Sequence, residues 1–216
     1  MSTVNGNEMK VTGHIQELVA NPSPLGLFGL ALVTLVASSQ KLEFTTGVAY
    51  MIPWAIFLGA AAQFVAGLMD FKHDNTFGAT AFCGYGLFWF GVGMTWWMQT
   101  TGTIGKGTGF DAHQLGYAFL GYFLFTVIMT VGSMGTNKVL FIIFSLIDLL
   151  FLGLFMNNLV GGHGWHLLAA YSEILISIVS FYGVAATVLN THFGYSVLPI
   201  GAPFGSMHRK SVALKK

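Results

Sequence analysis

Residues 139–160 read VLFIIFSLIDLLFLGLFMNNLV. At about 1.5 Å per residue, a helix of that length crosses a hydrocarbon layer about 30 Å thick, and Asp148 is its single charge. The run is therefore expected to span a membrane. Working outward, five more stretches, uncharged except for Glu173 in the last, are bounded by charged or turn-forming residues: Pro24 to Ser39, Thr46 to Met69, Thr76 to Met98, Ala112 to Ser133 and Trp165 to Leu189. The composition agrees. Of 216 residues, 54% are hydrophobic and 8% are charged, against about 25% charged in soluble domains. A soluble globule is excluded, and with 15% aromatics and a mean hydropathy of +0.69 so is a disordered chain. An all-α polytopic membrane protein with six transmembrane helices is expected.

The connections are short and carry nearly all the charge: Lys41 and Glu43, then Asp70, Lys72, His73 and Asp74, then Lys106 and Asp111, then Lys138. This predicts a cytoplasmic N-terminal segment over 1–20, a transport domain over 21–190 and a cytoplasmic tail over 191–216. Six spans put both termini on one side, with Lys10, Lys72, Lys138, Arg209, Lys210, Lys215 and Lys216 there, against Lys41 and Lys106 opposite. By the positive-inside rule both termini are expected in the cytoplasm. Trp96, Trp97 and Trp165 fall at span ends, where indoles anchor in the headgroup layer. Residues 1–20 hold Glu8, Lys10 and Glu17 with no apolar run, so the first span is expected to direct insertion itself. Ile15, Leu18 and Val19 suggest a short surface helix over 12–20. The net charge of +1 gives no reason to expect a nucleic-acid partner, and the single Cys83 excludes an internal disulfide or a multi-thiolate metal site.

Glycine is abundant within the spans, at Gly26, Gly29, Gly59, Gly67, Gly84, Gly86, Gly91, Gly93, Gly116, Gly121 and Gly153. Close helix packing is the first expectation for them. The most unusual local feature is Asn21-Pro22-Ser23-Pro24-Leu25-Gly26-Leu27. Prolines so placed start a helix, whose unpaired N–H groups favour an anion if the start lies at membrane depth. Polar residues within spans, among them Gln63, Thr80, Tyr85, Asn157, Asn158, Ser145, Ser180 and Tyr182, either line a pathway or bond between helices. Asp148 and Glu173 are the carboxylates placed inside predicted spans, and at that depth they are candidate proton carriers. The histidines lie in loops or at span ends, and the His163 and His166 pair has no partner pair. No haem, quinone or metal cofactor and no catalytic constellation is expected.

The signature at 21–27 resembles the Asn-Pro-Ala-Pro-Leu-Gly-Leu motif of the acetate uptake transporter family, which includes bacterial succinate-acetate permeases and yeast acetate transporters. Gln63, Ala66 and Gly67, then Asn75-Thr76-Phe77-Gly78, Thr80-Ala81-Phe82, Tyr85-Gly86 and Phe88-Trp89, are similar to the family's second-to-third-span region. Leu198-Pro199-Ile200-Gly201 resembles its C-terminal element. The resemblance implies six helices in a fold similar to the proton-gated urea channels, a homohexamer of separate pores in the plasma membrane, and passage of acetate and related small carboxylates. It also implies a constriction of a Phe, a Tyr and a Leu. Matched by motif, the Tyr is Tyr85, the Leu is Leu146, and the Phe position holds Leu30. Leu is smaller and lacks a ring, which suggests a wider pore. Asp148 and Glu173 match no family motif.

Together these readings predict a carboxylate transporter, proton-coupled, with Leu30, Tyr85 and Leu146 at the constriction and Asn21, Gly26, Gln63, Thr80, Asn157 and Ser180 as substrate-binding positions. A passive acetate channel would use the same residues. A channel for urea, ammonia or another small neutral solute is the second transport reading, and a membrane-embedded redox or structural protein stands as a third class.

Overall fold

The structure, a computed structural model, describes residues 20–105 and 109–205. The surface helix expected over 12–20 falls almost wholly outside them, as do Lys10, Lys106 and the cationic residues after 205. Six helices are long and apolar enough to span: α1 Ser23–Lys41, α2 Ile52–Lys72, α3 Thr76–Thr100, α4 His113–Ser133, α5 Lys138–Leu159 and α6 His163–Phe193. The chain is a multi-pass membrane protein, all-helical among the described residues.

Local chemistry sets the ends. Pro24 sits in the first turn of α1, where its missing N–H costs nothing. Pro53 does the same for α2, which starts at Ile52 instead of near Thr46 because a Met51 N to Val48 O turn precedes it. Asn75 and Asn137 cap α3 and α5. Gly194, with φ +74°, ends α6 in the left-handed conformation. Residues 55–62 of α2 wind as a π-helix, a geometry associated with functional sites. At its exit Gln63 Nε2 donates to Gly59 O at 2.7 Å.

Each helix packs on its neighbours in the chain, and α6 returns to pack along α1, so the six form a closed ring. The α3–α4 seam is the thinnest. Glycines permit the closest approaches: a Cβ at Gly86 would meet Phe64 N at 2.9 Å and Ala60 O at 3.0 Å, and one at Gly153 would meet Ala169 N at 2.7 Å. Gly91 and Gly121 differ, since a Cβ there would touch nothing in the described chain. The ring's interior is filled from α1, α3, α5 and α6 by residues such as Leu27, Phe82, Ile143 and Ile176. The large exposed side chains of the spans, such as Leu124 and Ile128 on α4, are apolar and suit contact with lipid.

The last helix passes residue 190, and the chain beyond it is docked on the helical body. Asn190 Oδ1 accepts from Val197 N at 2.7 Å and Leu198 N at 2.9 Å, Val139 N donates to Ile200 O at 3.2 Å, and Phe204 N donates to Met134 O at 3.0 Å. Residues 197–204 thus strap the start of α5 to the end of α6.

Because the Gly153 contact is to backbone, which cannot rotate away, Gly153→Val is expected to destabilise the protein by about 1–3 kcal/mol or more. Gly164→Ala, where a Cβ meets nothing, leaves stability unchanged. Thermal unfolding in detergent measures both.

Candidate functional site

A cavity of about 290 Å³ lies inside the end of the ring at which α1, α3 and α5 begin. Its outer wall includes Asn21, Ser23, Asn75, Gly78, Thr136, Asn137, Thr187 and Ile200, and its inner end is reached at Leu30, Gln63, Tyr85 and Ile147. From Asn75 to Tyr85 along α3 is about 15 Å, half the hydrocarbon thickness. The cavity is a half-channel.

Three helix N-termini meet at its mouth, each held by an asparagine. Asn21 Oδ1 accepts from Ser23 N at 3.0 Å, Asn75 Oδ1 from Gly78 N at 3.2 Å, and Asn137 Oδ1 from Leu140 N at 2.9 Å. Most first-turn N–H groups of α1 and α5 are already taken, since Pro24 has none, Leu25 N and Gly26 N donate to Pro22 O at 3.0 and 3.3 Å, and Val139 N donates to Ile200 O at 3.2 Å; the positive potential at the mouth is chiefly that of the three helix dipoles. Among the described residues, no Lys, Arg, Asp or Glu lines the cavity. The polar attraction for an anion comes from backbone and amides.

The inner end is of different character. Leu30 and Ile147 are apolar, and Gln63 Oε1 is buried with no hydrogen-bond partner. Thr126 Oγ1 donates its one proton to Tyr122 O at 2.7 Å, so the 2.9 Å contact between Tyr85 and Thr126 has Tyr85 Oη as donor. Tyr85 therefore has no proton left to offer a substrate. Beyond it, Phe151 stacks on Tyr85 at 6.4 Å and on Tyr122 at 5.5 Å, and Phe88 meets Phe151 edge-on at 5.1 Å. Rings from α3, α4 and α5 close the far side of the half-channel.

Of the expected site residues, Leu30, Tyr85, Asn21 and Gln63 come together around this cavity. Leu146 does not border it: the α5 residues that do are Val139, Leu140, Ile143, Phe144 and Ile147, and Leu146 packs half-buried against the core. Gly26 is covered by the Phe82 ring and serves packing. Thr80 is exposed, because the cavity-facing positions of α3 are 77, 78, 81, 82 and 85. Asn157 sits at the opposite end of α5. Ser180 is buried one turn deeper than the cavity residue Gly183, with its hydroxyl unpartnered.

The two candidate proton carriers also lie away from the cavity. Asp148 Oδ2 accepts from Thr130 of α4 at 2.7 Å. Glu173 is paired with Lys41 Nζ at 2.8 Å, its side chain 2% exposed, and His166 Nε2 lies 3.0 Å from Lys41 O. Lys41 ends α1, about 16 Å along that helix from Leu30. The sequence reading placed Lys41 and Asp70 among solvated connection charges, yet both are drawn into the body: Asp70 is 1% exposed on α2, with Asn75 Nδ2 donating to its Oδ1 at 3.1 Å. The spacing of Gln63, Ala66, Gly67 and Asp70, which puts all four on one helical face, was the available signal.

Comparison with known proteins fits this geometry. A family model described as the GPR1/FUN34/yaaH family matches residues 6–202. The chain belongs to the GPR1/FUN34/yaaH family. It is 33% identical over 188 residues to the succinate-acetate/proton symporter SatP of Escherichia coli strain K12, covering 85% of this chain and 96% of that one. Acetate permease A of Emericella nidulans is 28% identical over 209 residues, covering 88% and 70%, and ammonia transport outward protein 2 of Saccharomyces cerevisiae is 29% identical over 189, covering 85% and 67%. The solved structure of the bacterial acetate channel SatP superposes with a TM-score of 0.80 at 32% identity, covering 85% of this chain and all of that one.

The buried ion pair makes a prediction that separates architecture from coupling. Glu173→Gln strands the Lys41 ammonium and is expected to cost up to about 3 kcal/mol of stability. The double variant Lys41→Met with Glu173→Leu recovers most of the loss. Thermal unfolding of the three proteins in detergent checks it.

Proposed function

We propose that this chain carries acetate and related short-chain carboxylates, succinate among them, across the plasma membrane, each protomer moving the acid together with a proton. The termini face the cytoplasm, so the half-channel opens inward, and the working form is a homohexamer of separate pathways. It is a transporter and has no enzymatic step.

The observation that carries this reading is the meeting of three helix N-termini on one cavity that reaches half the membrane depth. A cavity of about 290 Å³ equals roughly ten water volumes, room for acetate or a four-carbon acid with some hydration. The mouth attracts the anion by the positive ends of its three helix dipoles. The inner end holds an unpartnered acceptor, Gln63 Oε1, in an apolar wall. An anion gains nothing from an acceptor, whereas a carboxylic acid O–H satisfies it. Anion capture at the mouth followed by passage as the neutral acid accounts for both ends, and it favours symport over passive anion conduction.

The same inner end supports the second reading, a channel for ammonia or another small neutral donor, which the named activity of the Saccharomyces relative keeps in view.

Proteoliposomes decide among these. Symport predicts that external acetate acidifies the lumen faster than in protein-free vesicles, without current. Acetate current without acidification selects the passive channel, and ammonia or urea flux with no acetate flux overturns the carboxylate reading. A further outcome follows from Leu30, which lines the inner end: Leu30→Phe is expected to lower succinate uptake relative to acetate by about tenfold or more, the scale on which a hydrophobic pocket discriminates size. Competition between the two labelled acids measures the ratio.

A further inference from the structure

Asp70 stands one layer behind the cavity wall. Its Oδ1 accepts from Asn75 Nδ2 at 3.1 Å, while its Oδ2 is buried without a hydrogen-bond partner and lies against Gly78, where a Cβ would collide with it. Asn75 and Gly78 are themselves lining residues, and Asn75 caps α3. A carboxylate in this position faces the N-terminus of α3, the same positive end that the mouth offers to a substrate anion. Asp70 and the substrate compete for one field.

We propose that Asp70 is the residue at which proton binding is coupled to carboxylate binding: ionised, it occupies the field of the α3 N-terminus, and protonated on Oδ2, it leaves that field to the substrate. One negative charge is then present at the mouth in either state, so one proton accompanies each anion. By linkage, the anion favours the proton as much as the proton favours the anion. The inference rests on the carboxylate reading above and names the residue that would perform its coupling. The other two membrane acids are poorly placed for this: Glu173 is held by Lys41 at the far side, and Asp148, although its Oδ1 is also buried without a partner, sits in mid-α5 with its Oδ2 on Thr130 of α4, away from the α3 N-terminus.

The groups around Asp70 fit the role. On its own helix and in the turn after it are Lys72, His73 and Asp74, with His73 Nε2 3.1 Å from Ala20 O. From α3 comes the thiol of Cys83, whose Sγ approaches Phe64 O at 3.9 Å. The third packed element, α1, presents no titratable side chain before Lys41 at its distant end.

The test is labelled acetate uptake by the full chain in liposomes, with protein-free rates subtracted and wild type and variants compared at each pH. One-proton linkage gives a fall of up to tenfold per pH unit above the coupling midpoint, so between about pH 6 and about pH 8 the wild type is expected to lose tenfold or more. Asp70→Asn, fixed in the neutral state, keeps an acetate affinity, read from the concentration that half-saturates uptake, that changes little across that range, and Asp70→Glu behaves as wild type. An Asp70→Asn profile parallel to wild type overturns the inference, whereas wild-type vesicles that take up no acetate overturn the transport reading instead. If Asp70→Asn does not assemble, the unmodified chain with carboxyl-labelled aspartate answers by NMR: acetate raises the titration midpoint of one buried aspartate, and the response survives in Asp148→Asn. Absence of any such response, or its loss in Asp148→Asn, overturns the inference equally.

Discussion

A backbone N–H without a partner costs several kcal/mol in hydrocarbon, and every helix has about four of them at its start. In this fold the starts of α1, α3 and α5 limit that cost by pairing N–H groups with Asn21, Pro22, Asn75, Asn137 and Ile200, and by gathering at the mouth of a shared cavity that reaches half the bilayer depth. The rest of the structure serves this arrangement. Asparagines hold the three ends in place. Glycines bring the neighbouring helices close enough to enclose the cavity. The C-terminal strap, with Ile200 in the cavity wall, fixes the spacing between α5 and α6.

The two ends of the pathway are built from unlike materials. The mouth gathers three positive helix ends and, among the described residues, no lining charge, so it attracts an anion without trapping it in an ion pair. The inner end, from Leu30 and Gln63 to the stacked Tyr85 and Phe151, is apolar and offers an acceptor. Near the far end of α1, the Lys41–Glu173 pair clamps that helix to α6. The described state is therefore open to one side and shut to the other, as alternating access or a gated channel requires.

Much of this was legible in the sequence. The six spans follow from the placement of charge, and their observed bounds differ from the expected ones mainly at α2, where Pro53 and the preceding turn delay the start, and at α6, which runs on to Phe193. The signature at 21–27 marks the start of α1 because prolines fix a helix start locally, but it does not show that the start borders a cavity. What did not read through was which face of each helix turns inward. Thr80 and Asn157 are polar within apolar runs, yet one points out of the ring and the other lies at its opposite end. Lys72, His73 and Asp74 follow Asp70 directly and make it resemble a connection charge, and only the continuation of α2 through Lys72 shows that Asp70 belongs to the helix. The repeated asparagine, at 21, 75 and 137, each before a span, was visible but gained meaning only when the three helix starts proved to share one cavity.

The central claim is that the cavity ringed by the starts of α1, α3 and α5 holds the substrate carboxylate. The most direct measurement is a crystal structure with bromoacetate, its bromine located by anomalous scattering. Bromine density is expected inside the cavity, between the three asparagines and Leu30. Density confined to the outer surface of α4, or an occupied site within the protomer that excludes this cavity, would contradict it.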